Sequence, residues 1–286
     1  MNFVLKCLPR YKKFFSLFFV FLFGVTFGLS RTSAQVHIAP VALYMNDHKQ
    51  TGRLVVRNSS DKPQELTVEL LFGYPATNKQ GNVYLKTFEK VPERALSATE
   101  WIRVYPRHLV LPPKQQQTIR FSARPPAGLP AGEYWIRPAI STTNARTIKN
   151  NLSERITTHI NLIKRTILSL NYRHGNVRTG IEIMSIEAKA KNGKLQLWTK
   201  LDRKGNAAYL GHVSVSLYKD GRRLYHDQKE IAVYNRQTRS FNVDKENLSP
   251  GQYRAQISFT TTLRARENEA ILPAPPVSKS IQFTIK

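Results

Sequence analysis

Along most of the chain, apolar and polar residues alternate with a period of two, the pattern of half-buried β-strands. Runs rich in Thr, Val, Ile and Tyr are separated by clusters of Gly, Pro, Asn and Asp, and stretches with a helical period are nearly absent. The first half predicts strands at residues 36–43, 53–58, 65–72, 83–88, 101–105, 116–123, 134–140 and 156–172. The second half predicts strands at residues 180–190, 194–202, 212–219, 223–233, 240–243, 252–262 and 278–285. The sequence therefore predicts an all-β fold.

One short phrase, Leu-x-x-Gly-x-Tyr, occurs twice, ending at Tyr134 and at Tyr253, and each copy opens an alternating strand. In immunoglobulin-like sandwiches, a Tyr near the start of strand F hydrogen-bonds back to the corner just upstream. The repeat therefore predicts two tandem immunoglobulin-like β-sandwich domains, at residues 35–172 and 173–286. The alternative is that so short a phrase recurs by chance.

The first 34 residues have the pattern of a secretory signal peptide. A basic start that includes Lys12 and Lys13 precedes an apolar run at residues 14–30, and Thr32-Ser33-Ala34 is a small-residue cleavage site. The alternative is an uncleaved membrane anchor, for which the apolar run is short. We expect cleavage, an exported protein and no membrane span in the mature chain.

The chain is strongly basic, with 44 Lys and Arg against 19 Asp and Glu, and its single cysteine, Cys7, lies in the predicted signal peptide. The mature protein is therefore predicted to have no disulfide. A positive surplus favours acidic partners. Outside the signal peptide, however, no run of Lys and Arg exceeds two residues, so we expect no nucleic-acid function.

Motifs for catalysis are missing from the sequence. The seven histidines are scattered without metal-ligand spacing, and neither a phosphate-binding Gly loop nor a nucleophile elbow is present. We therefore expect no enzyme activity, no cofactor and no metal site.

The predicted strand at residues 156–172 is longer than usual. Alternation places Ile156, Thr158, Ile160 and Leu162 on one face. At a sheet edge, such a strand could pair with an extended segment of a partner. An ordinary core-facing strand is the alternative.

The segment Leu111-Pro112-Pro113-Lys114-Gln115-Gln116-Gln117-Thr118-Ile119-Arg120 resembles a motif of the PapD-like periplasmic chaperones of the chaperone–usher pilus pathway. The matching positions are Leu111, Pro113, Gln117, Ile119 and Arg120, preceded by Pro106. The order of the surrounding elements also agrees over the whole first domain, whereas the second domain matches only in length and β character.

The resemblance implies a function and its residues. Chaperones of this family donate alternating apolar side chains of strand G of the first domain to an incompletely folded pilin-like subunit, and an outer-membrane usher then takes the subunit. In this chain the donor residues would be Ile156, Thr158, Ile160 and Leu162. The polar loop at residues 141–151 would precede them, and the protein would be periplasmic.

The chain departs from the family at the bases that hold the terminal carboxylate of the subunit. The first-strand position falls within residues 40–43, which contain no base, and the strand G position falls near Ser169. The nearest candidates are Lys164, Arg165 and Arg137.

A second hypothesis is a surface or adhesive module that binds polysaccharide or protein without acting as a chaperone. Stacking on sugars needs an exposed aromatic ring, and the candidates are Trp101, Trp135 and Trp198. Because Trp is mostly buried in such sandwiches, we expect these rings to belong to the cores.

Overall fold

The computed structural model describes residues 36–93, 95–144, 162–191, 194–243, 248–261 and 271–285. Within these ranges the regular elements are all β-strands, and they form two β-sandwiches in succession along the chain. The predicted all-β fold with tandem sandwiches is therefore confirmed. Nowhere in these ranges does the chain form a helix long and apolar enough to span a membrane.

The first sandwich consists of two sheets with the strand orders β1–β3–β8–β6 and β2–β11–β9–β4–β5; in addition, β10 pairs with β9 and β7 pairs with β4. The strands are β1 (Val36–Ala39), β2 (Ala42–Asn46), β3 (Thr51–Asn58), β4 (Gln64–Thr77), β5 (Val83–Phe88), β6 (Ile102–Tyr105), β7 (His108–Leu111), β8 (Gln116–Ala123), β9 (Gly132–Asn144), β10 (Lys164–Ile167) and β11 (Ser169–His174).

The second sandwich has the sheets β12–β13–β16 and β15–β14–β17–β18. Its strands are β12 (Thr179–Lys191), β13 (Lys194–Gly205), β14 (Tyr209–Lys219), β15 (Arg222–Val233), β16 (Gln237–Val243), β17 (Gly251–Thr260) and β18 (Val277–Ile285). The domain boundary predicted at residues 172/173 stays a prediction.

Each sandwich has its own hydrophobic core, formed by the inward half of the alternating pattern. Leu54, Ile119 and Ile136 are fully buried in the first core, and Leu197 and Phe259 are fully buried in the second. Burying an aliphatic or aromatic side chain of this size contributes roughly 1.5–3 kcal/mol. The alternation that predicted the strands is therefore also what stabilises them.

The predicted first strand, residues 36–43, is two strands that belong to different sheets. Ala39 ends β1 opposite Val55 of one sheet, and Ala42 begins β2 opposite Ser169 of the other. Pro40 lies between them and has no amide hydrogen to continue a ladder. The sequence-based prediction of one strand is wrong here because both halves alternate in the same way.

A smaller hydrophobic cluster joins the two sandwiches. Phe72 and Trp135 come from the first sandwich, and Ala208 and Tyr234 come from the second. The rings of Trp135 and Tyr234 meet edge to face, with their centroids 4.7 Å apart. Edge-to-face contact is one of the two favourable geometries for a pair of aromatic rings.

Both tyrosines of the repeated phrase make the hydrogen bond of a tyrosine corner. The hydroxyl of Tyr134 donates to the carbonyl oxygen of Pro130 at 2.7 Å, and the hydroxyl of Tyr253 donates to that of Ser249 at 2.6 Å. Each bond spans four residues and holds the chain just before strand β9 or β17.

Candidate functional site

Strand β9 is the central strand of the candidate site. It pairs with β4 from Arg137 to Asn144 and, on its other side, with β10 and β11. Asn144 lies opposite Gln64, and the side-chain amide of Gln64 donates to Asn144 Oδ1 at 2.8 Å. The loop predicted at residues 141–151 is therefore wrong at its start, because residues 141–144 belong to β9.

Strands β10 and β11 pair one after the other with β9, and the register is the same for both. Ile167 lies opposite Ala139, and Leu170 lies opposite Ile136. The interruption between them falls at Leu168, whose amide still donates to the carbonyl oxygen of Pro138 at 2.9 Å. Pro138 has no N–H to return the bond, so the ladder breaks there while the chain keeps its direction.

This path covers the later part of the strand predicted at residues 156–172. Three of the predicted donor residues, Ile156, Thr158 and Ile160, lie outside the described residues. The fourth, Leu162, is described and lies two residues before β10.

The edge of β10 is open among the described residues. Strand β2 pairs in parallel with β11, from Ser169 opposite Ala42 to Arg173 opposite Asn46, and so covers that edge. Strand β10 has β9 as its partner on one side, and no other described strand pairs with it. Its free backbone groups can therefore accept one more strand.

Exposed apolar side chains lie at both ends of this open edge, since Leu162 and Ile163 precede β10 and Ile167 ends it. The exposed fractions are 80% for Leu162, 66% for Ile163 and 38% for Ile167. Ile163 and Ile167 were missed in the sequence analysis. The sequence does contain a sign of these exposed residues, the consecutive apolar pair Leu162-Ile163. Two neighbouring residues of a strand point to opposite faces, so one of the two is expected to face solvent.

The three candidate bases do not converge on one point. Arg165 is exposed and pairs with Glu69, with Nη2 2.6 Å from Oε2. Lys164 is exposed and lies opposite Thr142. Arg137, in contrast, is only 3% exposed.

Arg137 lies where β2 begins to cover the edge. Its Nη1 donates to Ser169 Oγ on the opposing strand at 2.5 Å, and its guanidinium carbon lies 5.0 Å from the ring centre of Tyr234 in the second sandwich. The family resemblance places the expected lysine near Ser169. The guanidinium of Arg137 therefore brings a positive charge to that position from the neighbouring strand.

A chain of hydrogen bonds leads from Ser169 towards the second sandwich. Ser169 Oγ donates to Asn171 Oδ1 at 3.2 Å, and Asn171 Nδ2 donates to Glu133 Oε1 at 3.3 Å. The other oxygen of Glu133 pairs with Arg173 Nε at 2.9 Å. The backbone amide of Ala208 also donates to Glu133 Oε1 at 3.3 Å, so one carboxylate links the two sandwiches.

The half-buried guanidinium of Arg203 lies close to this network. Arg203 Nε donates to the carbonyl oxygen of Tyr234 at 2.7 Å, and its guanidinium carbon lies 5.9 Å from the ring centre of Trp135. Burial lowers the pKa of Arg203, while the negative charge of Glu133 acts in the opposite direction. Arg137 and Arg203 therefore both lie close to the ring pair of Trp135 and Tyr234.

The family-motif residues lie in the same sandwich, away from the open edge. Leu111 is buried, and its carbonyl oxygen accepts a hydrogen bond of 3.0 Å from Asn58 Nδ2. Ile119 is also fully buried. The other motif positions are exposed or half-buried: Pro106, Pro113, Gln117 and Arg120.

None of the three tryptophans presents two free ring faces. Trp101 packs edge-on against Tyr134 and Tyr172, and Trp135 is 2% exposed. Trp198 is half-buried, and Lys189 Nζ lies 4.7 Å from its ring centre. Among the described residues, no group of three or more His, Cys, Asp or Glu side chains is arranged to hold a metal ion.

No protein-family model matches the chain, and no curated protein sequence matches it. Solved structures do match it in fold, and many of them are pilus or fimbrial chaperones. The YadV chaperone is 12% identical to this chain, with 87% of this chain and 100% of that chain covered and a TM-score of 0.44.

Two of the matching structures are complexes. The CsuC–CsuE chaperone–tip adhesion subunit complex, from archaic chaperone-usher Csu pili of Acinetobacter baumannii, is 11% identical over 86% of this chain and 98% of that chain, with a TM-score of 0.46. The SafA pilin in complex with the SafB chaperone of Salmonella enterica is 11% identical over 87% and 98%, with a TM-score of 0.41. At these identities the likeness is one of fold, and function has to be inferred from the residues of this chain.

Proposed function

We propose that this protein is a periplasmic chaperone that holds incompletely folded surface-fibre subunits by strand addition and delivers them for assembly. The observation that carries the proposal is the open edge of β10 with its exposed apolar side chains. An exposed edge of this kind promotes aggregation unless a partner covers it. A subunit that lacks one strand of its own sandwich supplies such a partner.

In this mechanism the chain lends a strand to the subunit. The subunit pairs its backbone with β10 and with the residues just before it, and its incomplete core receives Leu162 and the predicted donors Ile156, Thr158 and Ile160. Backbone bonds provide affinity, and the alternating side chains provide specificity. The chain needs no cofactor and no bond cleavage for this role.

Arg137 is the base that we assign to the terminal carboxylate of the subunit. It lies at the point where the open edge ends, because β2 covers the strand from Ser169 onwards. Among the described residues, Arg137 has no ion pair with a carboxylate, whereas Arg165 is already paired with Glu69. A guanidinium binds a carboxylate through two parallel hydrogen bonds, which gives both strength and register. Because Arg137 is only 3% exposed in the free chain, the carboxylate has to displace its bond to Ser169 Oγ.

Export through the predicted signal peptide brings the protein to the compartment where fibre subunits are assembled, and the usher of the outer membrane is the proposed recipient. The leader lies outside the described residues. The lack of cysteines after residue 7 is compatible with a fold that depends on its hydrophobic cores alone.

The test is a pair of substitutions at the open edge, Leu162→Asp and Ile163→Asp, in the mature chain. Both side chains are exposed in the free protein, so the fold should be kept, while each buried apolar contact with a subunit is worth about 1.5–3 kcal/mol. Recovery of a 1:1 complex from periplasmic extract should fall by tenfold or more (about 1.4 kcal/mol per factor of ten).

Val110→Asp serves as the matched control, because Val110 is also an exposed apolar residue, 55% exposed, on strand β7. In the purified complex, hydrogen exchange should be slowed at the amides of β10 relative to the free protein. Normal complex recovery by the edge variants, or unchanged exchange at β10, would rule out strand addition at this edge.

A further inference from the structure

The sheet on the other side of the first sandwich has a strongly basic outer face. Alternation turns Arg53 and Arg57 of β3, Arg103 of β6 and Arg120 of β8 outwards, and all four are exposed. The intervening positions carry the buried core. The four strands of this sheet contain no Asp or Glu.

The arginines are arranged in rows that cross the strands. Arg53 lies opposite Arg120, which in turn lies opposite Tyr105, and this row therefore has two cations and an aromatic ring that is 76% exposed. In the neighbouring row, Ser122 lies opposite both Thr51 and Arg103. Residues two apart on a strand place their side chains roughly 7 Å apart.

Residues of both rows line a groove of about 1070 Å³. Lys49 adds another positive charge to its lining, and Leu43 and Tyr44 of β2 add apolar surface. The groove thus combines positive charge with apolar surface.

The positive charges of this face are not neutralised within the described part of the chain. No ion pair there involves Arg53, Arg57, Arg103 or Arg120, although Arg103 Nη1 donates to the carbonyl oxygen of Glu100 at 2.9 Å. Clustered charges of one sign raise the local concentration of oppositely charged partners and speed their association.

We propose that this groove binds an extended acidic segment of a partner protein, distinct from the subunit held at β10. A separation of roughly 7 Å between the rows suits a single extended chain better than a flat membrane surface. Guanidinium groups form paired hydrogen bonds with carboxylates. The apolar surface of Leu43 and Tyr44 accepts an apolar side chain of the same segment.

The cationic rows of the groove belong to β3, β6 and β8 in one sheet, whereas β10 pairs with β9 in the other sheet. Leu43 and Tyr44 of β2 are the part of the lining that belongs to the sheet of β10. A subunit bound at β10 would therefore leave the cationic rows accessible. The inference does not depend on strand addition at β10, and the chaperone could hold a subunit and an acidic partner at the same time.

The test uses the mature chain and a labelled peptide in which Glu and Leu alternate, followed by fluorescence anisotropy. The same peptide with Gln in place of every Glu should bind roughly tenfold more weakly. Added salt should lower the affinity of the protein for the acidic peptide. The double variant R53Q/R120Q should lose roughly tenfold in affinity for the acidic peptide. The variant L162D/I163D should bind it as the wild type does.

R222Q/R223Q removes two exposed arginines from β15 and has the same net charge as R53Q/R120Q. This control should bind the acidic peptide with wild-type affinity. If it loses as much affinity as R53Q/R120Q does, the effect comes from overall charge and the proposal is overturned. Sedimentation with phosphatidylglycerol vesicles provides a further comparison. Binding to vesicles that R53Q/R120Q abolishes, without any binding of the acidic peptide, would identify a membrane surface instead and also overturn it.

Discussion

Glu133 and Arg173 lie opposite each other on β9 and β11 and form a buried ion pair, with Arg173 Nε 2.9 Å from Glu133 Oε2. The side chain of Glu133 is 1% exposed and that of Arg173 is 13% exposed. Trp135 Nε1 also donates to the carboxylate, at 2.9 Å. Together with the bond from the amide of Ala208, these contacts make Glu133 the polar centre between the two sandwiches.

Replacing Glu133 by Ala should lower the free energy of unfolding by about 3–5 kcal/mol, because Arg173 would remain buried without its partner. Urea denaturation followed by tryptophan fluorescence measures the change. Glu65→Gln, at a half-buried position of β4 where the side chain is 37% exposed, should change the stability less. A Glu133→Ala variant as stable as the wild type would show that water replaces the carboxylate at no cost.

Arg137→Gln should weaken the binding of a subunit by about 1.5–3 kcal/mol, the worth of a hydrogen bond to a charged group. The measurement is titration of the purified protein with the C-terminal peptide of the subunit that co-purifies with it. Arg165→Gln is the control, since that guanidinium pairs with Glu69.

A peptide with an amidated C-terminus separates the carboxylate from the rest of the interaction. The amidated peptide should bind the wild type weakly, and it should bind Arg137→Gln with that same weak affinity. Amidation and the Arg137→Gln substitution remove one and the same contact, so their effects should not add. If amidation and the Arg137 substitution weaken binding additively, then Arg137 acts on something other than the carboxylate.

Local alternation predicted several strands well, among them β8, whose exposed and buried residues alternate. It predicted no strand at residues 108–111, which form β7. Residues 83–88 and 116–123 match β5 and β8 in full. Strand β4 extends to Thr77, although the prediction ended at residue 72 before Gly73 and Pro75. Beyond Leu71, β5 is the only described strand that pairs with β4, and an edge strand tolerates a proline.

The candidate site was predictable only in part, because its contacts join residues far apart in the sequence. Arg137 was among the candidates, yet its ring contact with Tyr234 depends on how the second sandwich packs against the first. The roles of Ser169 and Glu133 depend in the same way on the register between β9 and β11. A single sequence shows the alternation within a strand but not which strand lies beside it.

The two tyrosine corners predict parallel effects in the two sandwiches. Tyr134→Phe and Tyr253→Phe each remove one hydroxyl that donates to a backbone carbonyl, so each should lower the free energy of unfolding by about 1 kcal/mol. Thermal and urea unfolding measure both. Tyr84→Phe, at a position that is 46% exposed, should change stability by less. A larger loss at Tyr84 than at the corners would contradict this role.

Asp47 predicts a dependence of stability on pH. Its carboxylate accepts hydrogen bonds from the amide of Gly175 at 2.8 Å and from the hydroxyl of Tyr172 at 3.0 Å, and His174 Nδ1 lies 2.8 Å away. The Gly175 amide first, and then the His174 side chain, hold the pKa of Asp47 below its ordinary value of 3.8. Burial, with a smaller contribution from Asp47, raises the pKa of Tyr172 to about 12.

Because the folded pKa of Asp47 is depressed, the ionised carboxylate stabilises the fold above about pH 4, and this stabilisation is lost as the pH falls through the folded value. Asp47→Asn should therefore lower the Tm at pH 7, and the difference from the wild type should shrink as the pH is lowered below about 4. Glu89→Gln, which changes an exposed acid of the same sandwich, should leave the Tm at pH 7 close to that of the wild type. A Tm difference for Asp47→Asn that stays constant from neutral pH into the acid range would mean that the shape of the side chain, and not its charge, fixes this turn to the end of β11.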